Sequence, residues 1–107
     1  MDKNKLFISE EYGQIYRDPN KVSIIMTNYN YENLIERSIL SVLNQTYQNI
    51  ELLIVDDNSS DSSIRIIQNL AKKDDRIRVF KNTETLGTYW SKNSVINKTS
   101  GSFITMI

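Results

Sequence analysis

Residues 51–61 read Glu51-Leu52-Leu53-Ile54-Val55-Asp56-Asp57-Asn58-Ser59-Ser60-Asp61. The first half is an apolar run, which is typical of a strand buried on both faces of a parallel sheet. The second half is polar and acidic, and such side chains compete with regular structure by hydrogen bonding to nearby backbone. We therefore predict a buried strand over 51–55 that ends in a polar loop.

Three other segments share this strand-like character. They are residues 77–80, residues 103–107 and residues 22–27, which read Val22-Ser23-Ile24-Ile25-Met26-Thr27. The last of these is followed by Asn28-Tyr29-Asn30, a polar interruption that is typical of a loop after a buried strand. The sequence thus predicts four strands.

Apolar residues at helical spacing separate the predicted strands. The two clearest stripes are Leu34, Ile35, Ile39, Val42 and Leu43, then Ile64, Ile67, Leu70 and Ala71. Asn33 and Glu36 have the spacing of a capping box for the first helix, which is expected to end near Gln45. Asp61 is the expected N-cap of the second helix. A short third helix is expected over 89–97.

This alternation of strands and helices predicts the fold class. Continuous apolar strands joined by helices indicate a Rossmann-like α/β layout, with a mostly parallel sheet and helices on both faces. Ligands of such sheets bind beyond the carboxyl ends of the strands, where the strand order reverses. Segments 27–30, 56–60 and 81–87 are therefore expected to form a site. The fourth strand runs to Ile107, so we expect residues 21–107 to be an incomplete domain.

Composition limits the function. The chain has 107 residues, which fits one domain. Its 13 basic and 13 acidic side chains give no net charge, which argues against a nucleic-acid partner. It contains no His and no Cys, so disulfides, thiolate or imidazole zinc sites and imidazole-dependent mechanisms are excluded. Any catalytic base in this chain must be a carboxylate. Without a membrane-length apolar stretch or a secretory signal, a cytoplasmic location is expected.

Residues 1–20 are interpreted as an N-terminal arm. The spacing of Ile8, Tyr12, Ile15 and Tyr16 is compatible with a short helix that packs on a neighbour. Residues 18–20 read Asp-Pro-Asn, a turn signal that is expected to end the arm before the first strand.

Two adjacent carboxylates, Asp56 and Asp57, follow the strand over 51–55. Such a pair repels itself unless it is hydrogen-bonded, oriented apart or engaged with a ligand. Capping of the following helix is the structural alternative, above all for Asp56. Asp57 is the better candidate for ligand contact, because an ionised carboxylate accepts the N3–H of uracil and is repelled by the unprotonated N3 of cytosine.

Other candidates lie in the neighbouring loops. Tyr29 offers a ring that can stack on a base, while Thr27 and Asn30 offer polar contacts; the alternative is a loop whose rings only cover the sheet end. Lys92 is a candidate partner for a diphosphate, with a solvated helix charge as the alternative. Tyr89 and Trp90 are interpreted as packing or interface residues rather than site residues.

Taken together, these motifs resemble the start of family 2 glycosyltransferases with the GT-A fold. The resemblance covers residues 21–107 and rests on the order and spacing of segments 22–30, 41–47, 51–59, 86–88, 91–93 and 100–104. These read VSIIMTNYN, SVLNQTY, ELLIVDDNS, LGT, SKN and SGSFI.

The resemblance implies an inverting transferase that takes sugar from a nucleotide sugar, commonly a UDP-sugar. It implies that Thr27 and Tyr29 line the base, that Asp57 contacts uracil or its ribose surroundings, and that Lys92 lies near the nucleotide. Thr27 stands where many members have Pro, Asn58 where many have Gly, and Lys92 where many have Arg. These departures weaken the donor assignment.

The resemblance also implies what should lie after Ile107. Family members follow the fourth strand with an Asp-x-Asp-like motif that holds a divalent metal, Mg²⁺ or Mn²⁺, and have their catalytic base further on. We therefore expect neither catalytic residues nor a bound metal in this chain, and no transferase activity from it alone. Its uncovered face is expected to favour homo-oligomers. In the full-length protein the resemblance implies a sugar or glycan acceptor, a role in polysaccharide assembly and a peripheral position at the inner membrane face.

Three other functions are compatible with parts of the sequence. A receiver domain also has an acidic pair after a strand, but it needs an acceptor Asp after a later strand, where this chain has Lys81. A dinucleotide oxidoreductase needs G-x-G-x-x-G, but the glycines here are Gly13, Gly87 and Gly101. A non-catalytic nucleotide-binding or assembly module remains the principal alternative.

Overall fold

A computed structural model describes residues 5–9 and 13–107. The strands are β1 (Lys5–Ser9), β2 (Gly13–Tyr16), β3 (Asp18–Asn28), β4 (Ile50–Asp56), β5 (Ile77–Lys81) and β6 (Gly101–Met106). The helices are α1 (Ile35–Leu43), α2 (Ser63–Lys73) and α3 (Thr88–Asn93), with a 3₁₀ turn at Ile96–Lys98. None of these described helices has the length and apolar character needed to cross a membrane.

The main sheet has four parallel strands in the order β5-β4-β3-β6. The chain moves from β3 outward to β4 and β5, and then returns to the other side of β3. Strand order therefore reverses between β3 and β6, which places the expected ligand cleft beyond their carboxyl ends. The predicted α/β class, with its parallel sheet, is confirmed.

Helices cover both faces of the sheet because successive strand residues point to opposite sides. On one face, Ile24 and Leu52 belong to a buried cluster with Ile39 of α1 and Ile67 of α2. On the other face, Ile25, Leu53 and Val55 pack with Val95, which follows α3. Because both faces are covered, β4 is apolar throughout 52–55, as its sequence predicted.

The arm contains an antiparallel hairpin of β1 and β2, so the short helix predicted there is wrong. Ile8, Ile15 and Tyr16 lie in these strands, while Tyr12 lies outside the described residues. Pairing between the strands satisfies their backbone groups, and helical spacing within one segment cannot reveal such a partner.

The Asp-Pro-Asn turn signal is found at the start of β3 rather than before it. Asp18 pairs with Gly101, and the register is irregular until Val22 pairs with Phe103. The Asp18 carboxylate accepts a hydrogen bond from the Asn20 N–H at 2.8 Å, so the turn chemistry appears as an irregularity within the strand. The predicted boundary between the arm and the domain, after residue 20, therefore lies within β3. This boundary stays a prediction.

The helix boundaries differ from the predicted ones. Leu34, not Asn33, occupies the N-cap position of α1, because the N–H groups of Leu34 and Ile35 both donate to the carbonyl of Tyr31. Ser62 occupies the N-cap position of α2, although the Asp61 carboxylate accepts from the Ser63 N–H at 2.9 Å. The third helix is shorter than predicted, since α3 ends at Asn93.

A buried polar network joins the amino-terminal parts of the four strands. Glu51 accepts hydrogen bonds from the Ser23 hydroxyl at 2.6 Å and the Ser100 N–H at 2.5 Å, and it pairs with Arg78 at 3.1 Å. Burial raises the pKa of Glu51, but these hydrogen bonds outweigh burial and leave the pKa below that of an ordinary glutamate. A carboxylate, rather than a neutral acid, is therefore built into this end of the sheet.

Gly101 marks a close approach between β6 and β3. A methyl group at this position would lie 2.5 Å from the carbonyl oxygen of Lys21 and 2.8 Å from the hydroxyl of Ser23. Gly101→Ala must therefore push the two strands apart, and we expect it to lower the free energy of unfolding by about 1–3 kcal/mol. Urea denaturation followed by circular dichroism measures this loss.

The control for this prediction is Thr105→Ala, because Thr105 is exposed on the same strand. It should change stability by less than about 0.5 kcal/mol. Equal stabilities of the Gly101 and Thr105 variants would contradict the packing of β6 against β3.

Candidate functional site

A cleft of about 300 Å³ opens at the carboxyl ends of the strands. Its lining includes Thr27, Tyr29 and Tyr31 from the end of β3, Asp57 from the end of β4, and Gly87 and Thr88 at the start of α3. Sheet order, rather than sequence proximity, brings these three segments together. The cleft lies where the topology of the sheet places a ligand site.

Asp57 is the central polar group of this cleft. Its residue is only 5% exposed, and its carboxylate is held by the loop that follows β5. Oδ1 accepts hydrogen bonds from the Leu86 N–H at 2.8 Å and the Asn82 amide at 3.0 Å, and Oδ2 accepts from the Gly87 N–H at 2.9 Å. A carboxylate offers about four acceptor positions, so one position on Oδ2 remains for a further donor.

These contacts also fix the charge of Asp57. Burial raises its pKa, but the hydrogen bonds from the Leu86 N–H, the Asn82 amide and the Gly87 N–H, with a contribution from the nearby Ser91 hydroxyl, outweigh burial and hold the pKa below its ordinary value. The group is therefore an ionised acceptor at neutral pH.

Gly87 gives the loop the geometry that this arrangement needs. Its φ is +90°, in the left-handed region that residues with a side chain rarely adopt. With this conformation two successive backbone N–H groups, of Leu86 and Gly87, reach the two oxygens of one carboxylate.

Asp56 has a different role from Asp57. It is fully buried, and its carboxylate accepts from the Asn28 amide at 2.8 Å and from the Ser59 N–H at 3.0 Å. The two carboxylates thus face different partners, which relieves their mutual repulsion. Asp56 supports the loop backbone and is not part of the cleft lining.

Asn30 connects two loops. Its φ of 56° lies in the left-handed region, which asparagine tolerates. Its side-chain oxygen accepts from the Ser60 N–H at 2.8 Å, and its own N–H donates to the Ser59 hydroxyl at 3.0 Å. Asn30 was predicted to offer polar contacts to a ligand, and its side-chain oxygen is engaged with the loop after β4.

Sequence reasoning did not single out Asn28 or Asn82. Asn28 is 1% exposed, and its amide donates to Asp56 and Ser63, both at 2.8 Å. The Asn82 amide donates to Asp57 and, at 2.9 Å, to the Ser91 hydroxyl. Both residues stand at strand ends as ordinary polar residues, so only their position at the carboxyl edge of the sheet could have drawn attention to them.

The remaining candidates differ in their positions. Tyr29 is 48% exposed and lines the cleft, as does Thr27. Lys92 lies on α3, half-buried, and is not among the residues that line the cleft. Tyr89 and Trp90 are largely exposed and contact each other edge to face, so the core packing considered for them is not seen.

The described residues do not fit a metal site. Across 5–9 and 13–107, no group of three or more acidic side chains converges, and this chain has no His or Cys. Asp56 and Asp57 direct their oxygens to protein donors instead.

Fold and cleft together define a Rossmann-like α/β unit with a cleft at the reversal of strand order. Residues 23–107 match the family model described as glycosyl transferase family 2. The chain therefore belongs to this family, and the receiver and oxidoreductase alternatives are set aside.

Several bacterial glycosyltransferases are similar in sequence. An uncharacterized glycosyltransferase of Haemophilus influenzae is 44% identical over 80% of this chain and 34% of its own length. The UDP-Glc:alpha-D-GlcNAc-diphosphoundecaprenol beta-1,3-glucosyltransferase WfgD of Escherichia coli is 42% identical over 84% of this chain and 35% of its own. This chain thus spans about a third of such relatives.

One solved structure shows the same fold. The mannosyltransferase PcManGT of Pyrobaculum calidifontis, in complex with GDP-Man and Mn²⁺, superposes with a TM-score of 0.73 at 25% identity. The match covers 83% of this chain and 26% of PcManGT. The GT-A assignment, and the assignment to the N-terminal part of a family 2 protein, are confirmed.

Proposed function

We propose that the full-length gene product transfers a sugar from a UDP-sugar to a glycan or lipid-linked acceptor with inversion, and that residues 21–107 bind the nucleotide. The observation that carries the proposal is the ionised, pre-oriented carboxylate of Asp57 in the cleft, with one acceptor position unused.

The free position on Asp57 selects the base. Uracil has a single imide N–H at N3, which matches one acceptor position. Cytosine has an unprotonated N3 that the carboxylate repels. Guanine has two adjacent N–H donors on the corresponding edge, and Asp57 has only one position left. PcManGT carries GDP-Man on the same fold, so the base is decided by local contacts and not by the fold.

Three neighbouring residues complete the proposed nucleotide site. The open ring of Tyr29 stacks on the base, and Thr27 lines the same cleft. We assign the diphosphate to Lys92 on α3, which lies outside the cleft lining. Asn30 and Asp56 act by holding the two loops in place rather than through ligand contact, because their side-chain oxygens are used within the protein.

Catalysis requires residues outside this chain. The described carboxylates do not form a metal site, so we place the ligands of Mg²⁺ or Mn²⁺, and the catalytic base, in the rest of the full-length gene product. Mn²⁺ in the PcManGT complex supports a metal for this fold. By this reasoning the 107-residue chain binds a nucleotide but does not transfer sugar.

The names of two relatives support a proposal for the acceptor, and a location is proposed with it. WfgD and a Campylobacter jejuni enzyme named GalNAc(5)-diNAcBac-PP-undecaprenol beta-1,3-glucosyltransferase, 39% identical over 81% of this chain, both have undecaprenol-linked acceptors in their names. We propose a similar lipid-linked glycan acceptor, polysaccharide or glycoconjugate synthesis, and a site of action at the cytoplasmic membrane face.

The isolated chain should self-associate through exposed apolar residues of β6, such as Phe103 and Ile104.

The test is a transfer assay with the full-length gene product. UDP-sugars are supplied singly with Mg²⁺ or Mn²⁺ and an undecaprenyl-diphosphate-linked sugar, and products are identified by mass spectrometry and NMR of the anomeric centre. We expect one UDP-sugar to be consumed with inversion. UDP binding without turnover of any sugar would favour the non-catalytic nucleotide-binding or assembly module.

A further inference from the structure

We propose that Asn82 is a positioning residue that fixes which oxygen of Asp57 meets the nucleotide base. This inference rests on the proposed nucleotide site. Asn82 follows β5 directly, and its backbone N–H donates to the carbonyl of Asp56 at 2.8 Å. The side chain is thereby anchored beside the cleft, at the end of β4.

The amide of Asn82 bridges two elements of the site. Nδ2 donates to Asp57 Oδ1 at 3.0 Å and to Ser91 Oγ at 2.9 Å. An amide nitrogen has two hydrogens, so both are used and the amide has one orientation. Ser91 is fully buried on α3, which gives the bridge a rigid second support.

This bridge determines where a ligand can bind to Asp57. The Asn82 amide and the Leu86 N–H together occupy both acceptor positions of Oδ1. Only Oδ2, which accepts from the Gly87 N–H, retains a free position. Removal of the Asn82 amide therefore frees a position on Oδ1 and removes one of the donors that stabilise the ionised carboxylate.

Other ionisable groups come from every element around this carboxylate. Asp56 ends β4, Lys81 ends β5, Glu84 lies in the loop before α3, and Lys92 lies on α3. Tyr31, in the loop after β3, lines the cleft with Asp57. None of these ionisable side chains replaces Asn82, because the hydrogen bonds to Asp57 come from Asn82 and the loop backbone, with the uncharged Ser91 hydroxyl nearby.

The experiment compares Asn82→Ala and Asn82→Asp with Thr83→Ala in the full-length gene product. Thr83 is exposed in the same loop and is the matched control. UDP affinity at pH 7 is measured by calorimetry, and the titration of the Asp57 carboxyl carbon is followed by ¹³C NMR. UDP phosphate titration is common to all variants, so affinity ratios at one pH are unaffected by it.

We expect Asn82→Ala to weaken UDP binding about ten-fold or more, and Asn82→Asp to weaken it further through like-charge repulsion. Both variants should raise the titration midpoint of Asp57, while Thr83→Ala leaves affinity and midpoint unchanged. A purely structural role predicts no shift of the midpoint in a folded variant.

The two proposals fail in different ways. If the unmodified protein does not bind UDP, the proposed function is wrong, and the NMR titration still decides whether Asn82 controls Asp57. If UDP binds and Asn82→Ala equals Thr83→Ala in affinity and midpoint, the positioning role of Asn82 is wrong and the nucleotide site stands.

Discussion

Asp57→Asn is expected to weaken UDP binding by about a hundred-fold or more. The substitution removes the negative charge of the carboxylate that is proposed to accept the uracil N3–H. It also replaces one acceptor oxygen by an NH₂ donor. That donor must face Leu86, Asn82 or Gly87, all of which donate to Asp57. A lost charged hydrogen bond costs about 1.5–3 kcal/mol, and an opposed pair of donors adds to this.

Calorimetry with the full-length gene product measures the effect, and Asp75→Asn is the matched control. Asp75 is exposed at the turn after α2, remote from the cleft lining. A wild-type affinity for UDP in the Asp57 variant would show that the uracil contact is assigned to the wrong residue.

The low pKa of Asp57 further predicts that UDP binding by the unmodified protein is retained at neutral pH and weakens as pH falls through that pKa.

Glu51→Ala is expected to lower the free energy of unfolding by about 3 kcal/mol. The side chain is buried, and its removal leaves the Ser23 hydroxyl and the Ser100 N–H without their acceptor and Arg78 without its ion pair. Loss of one partner from such a network costs more than the network contributes, because the remaining polar groups stay buried. Arg78 is 41% exposed, so solvent compensates part of its loss.

Urea denaturation at several pH values tests this prediction, with exposed Glu84→Ala as the control. The folded-state pKa of Glu51 is lowered, so its contribution is complete above the unfolded-state pKa and is lost as pH falls through the folded-state pKa. A second variant, Glu51→Gln, keeps the size of the side chain and removes its charge. The difference in the free energy of unfolding between the unmodified protein and Glu51→Gln should therefore shrink towards zero at acid pH. A gap that is constant with pH would contradict an ionised Glu51.

The strands were predictable because their signal is local. The run at 52–55 is apolar without interruption, as expected of a strand that is covered on both faces. The N-terminal hairpin was not predictable in this way, since each of its strands depends on a partner. The prediction of Asn33 as the N-cap of α1 was also wrong, because the carbonyl of Tyr31 accepts the hydrogen bonds at the start of the helix.

The site was predictable in part for the same reason. Asp57 is visible from sequence as a carboxylate after a buried strand. Its partners are not, since Asn82 and the Leu86–Gly87 backbone lie 25 to 30 residues further along the chain. Nothing near Asp57 in sequence shows that its orientation is set by the loop after β5.

Comparison of UDP with CDP and GDP is the most direct test of the account. Calorimetric titration of the full-length gene product with each nucleotide isolates the base, because the ribose and diphosphate are shared. We predict that UDP binds at least about ten-fold more tightly than CDP or GDP, since only uracil matches the single free position on Asp57. Equal affinities for the three nucleotides, or no binding of UDP, would contradict it.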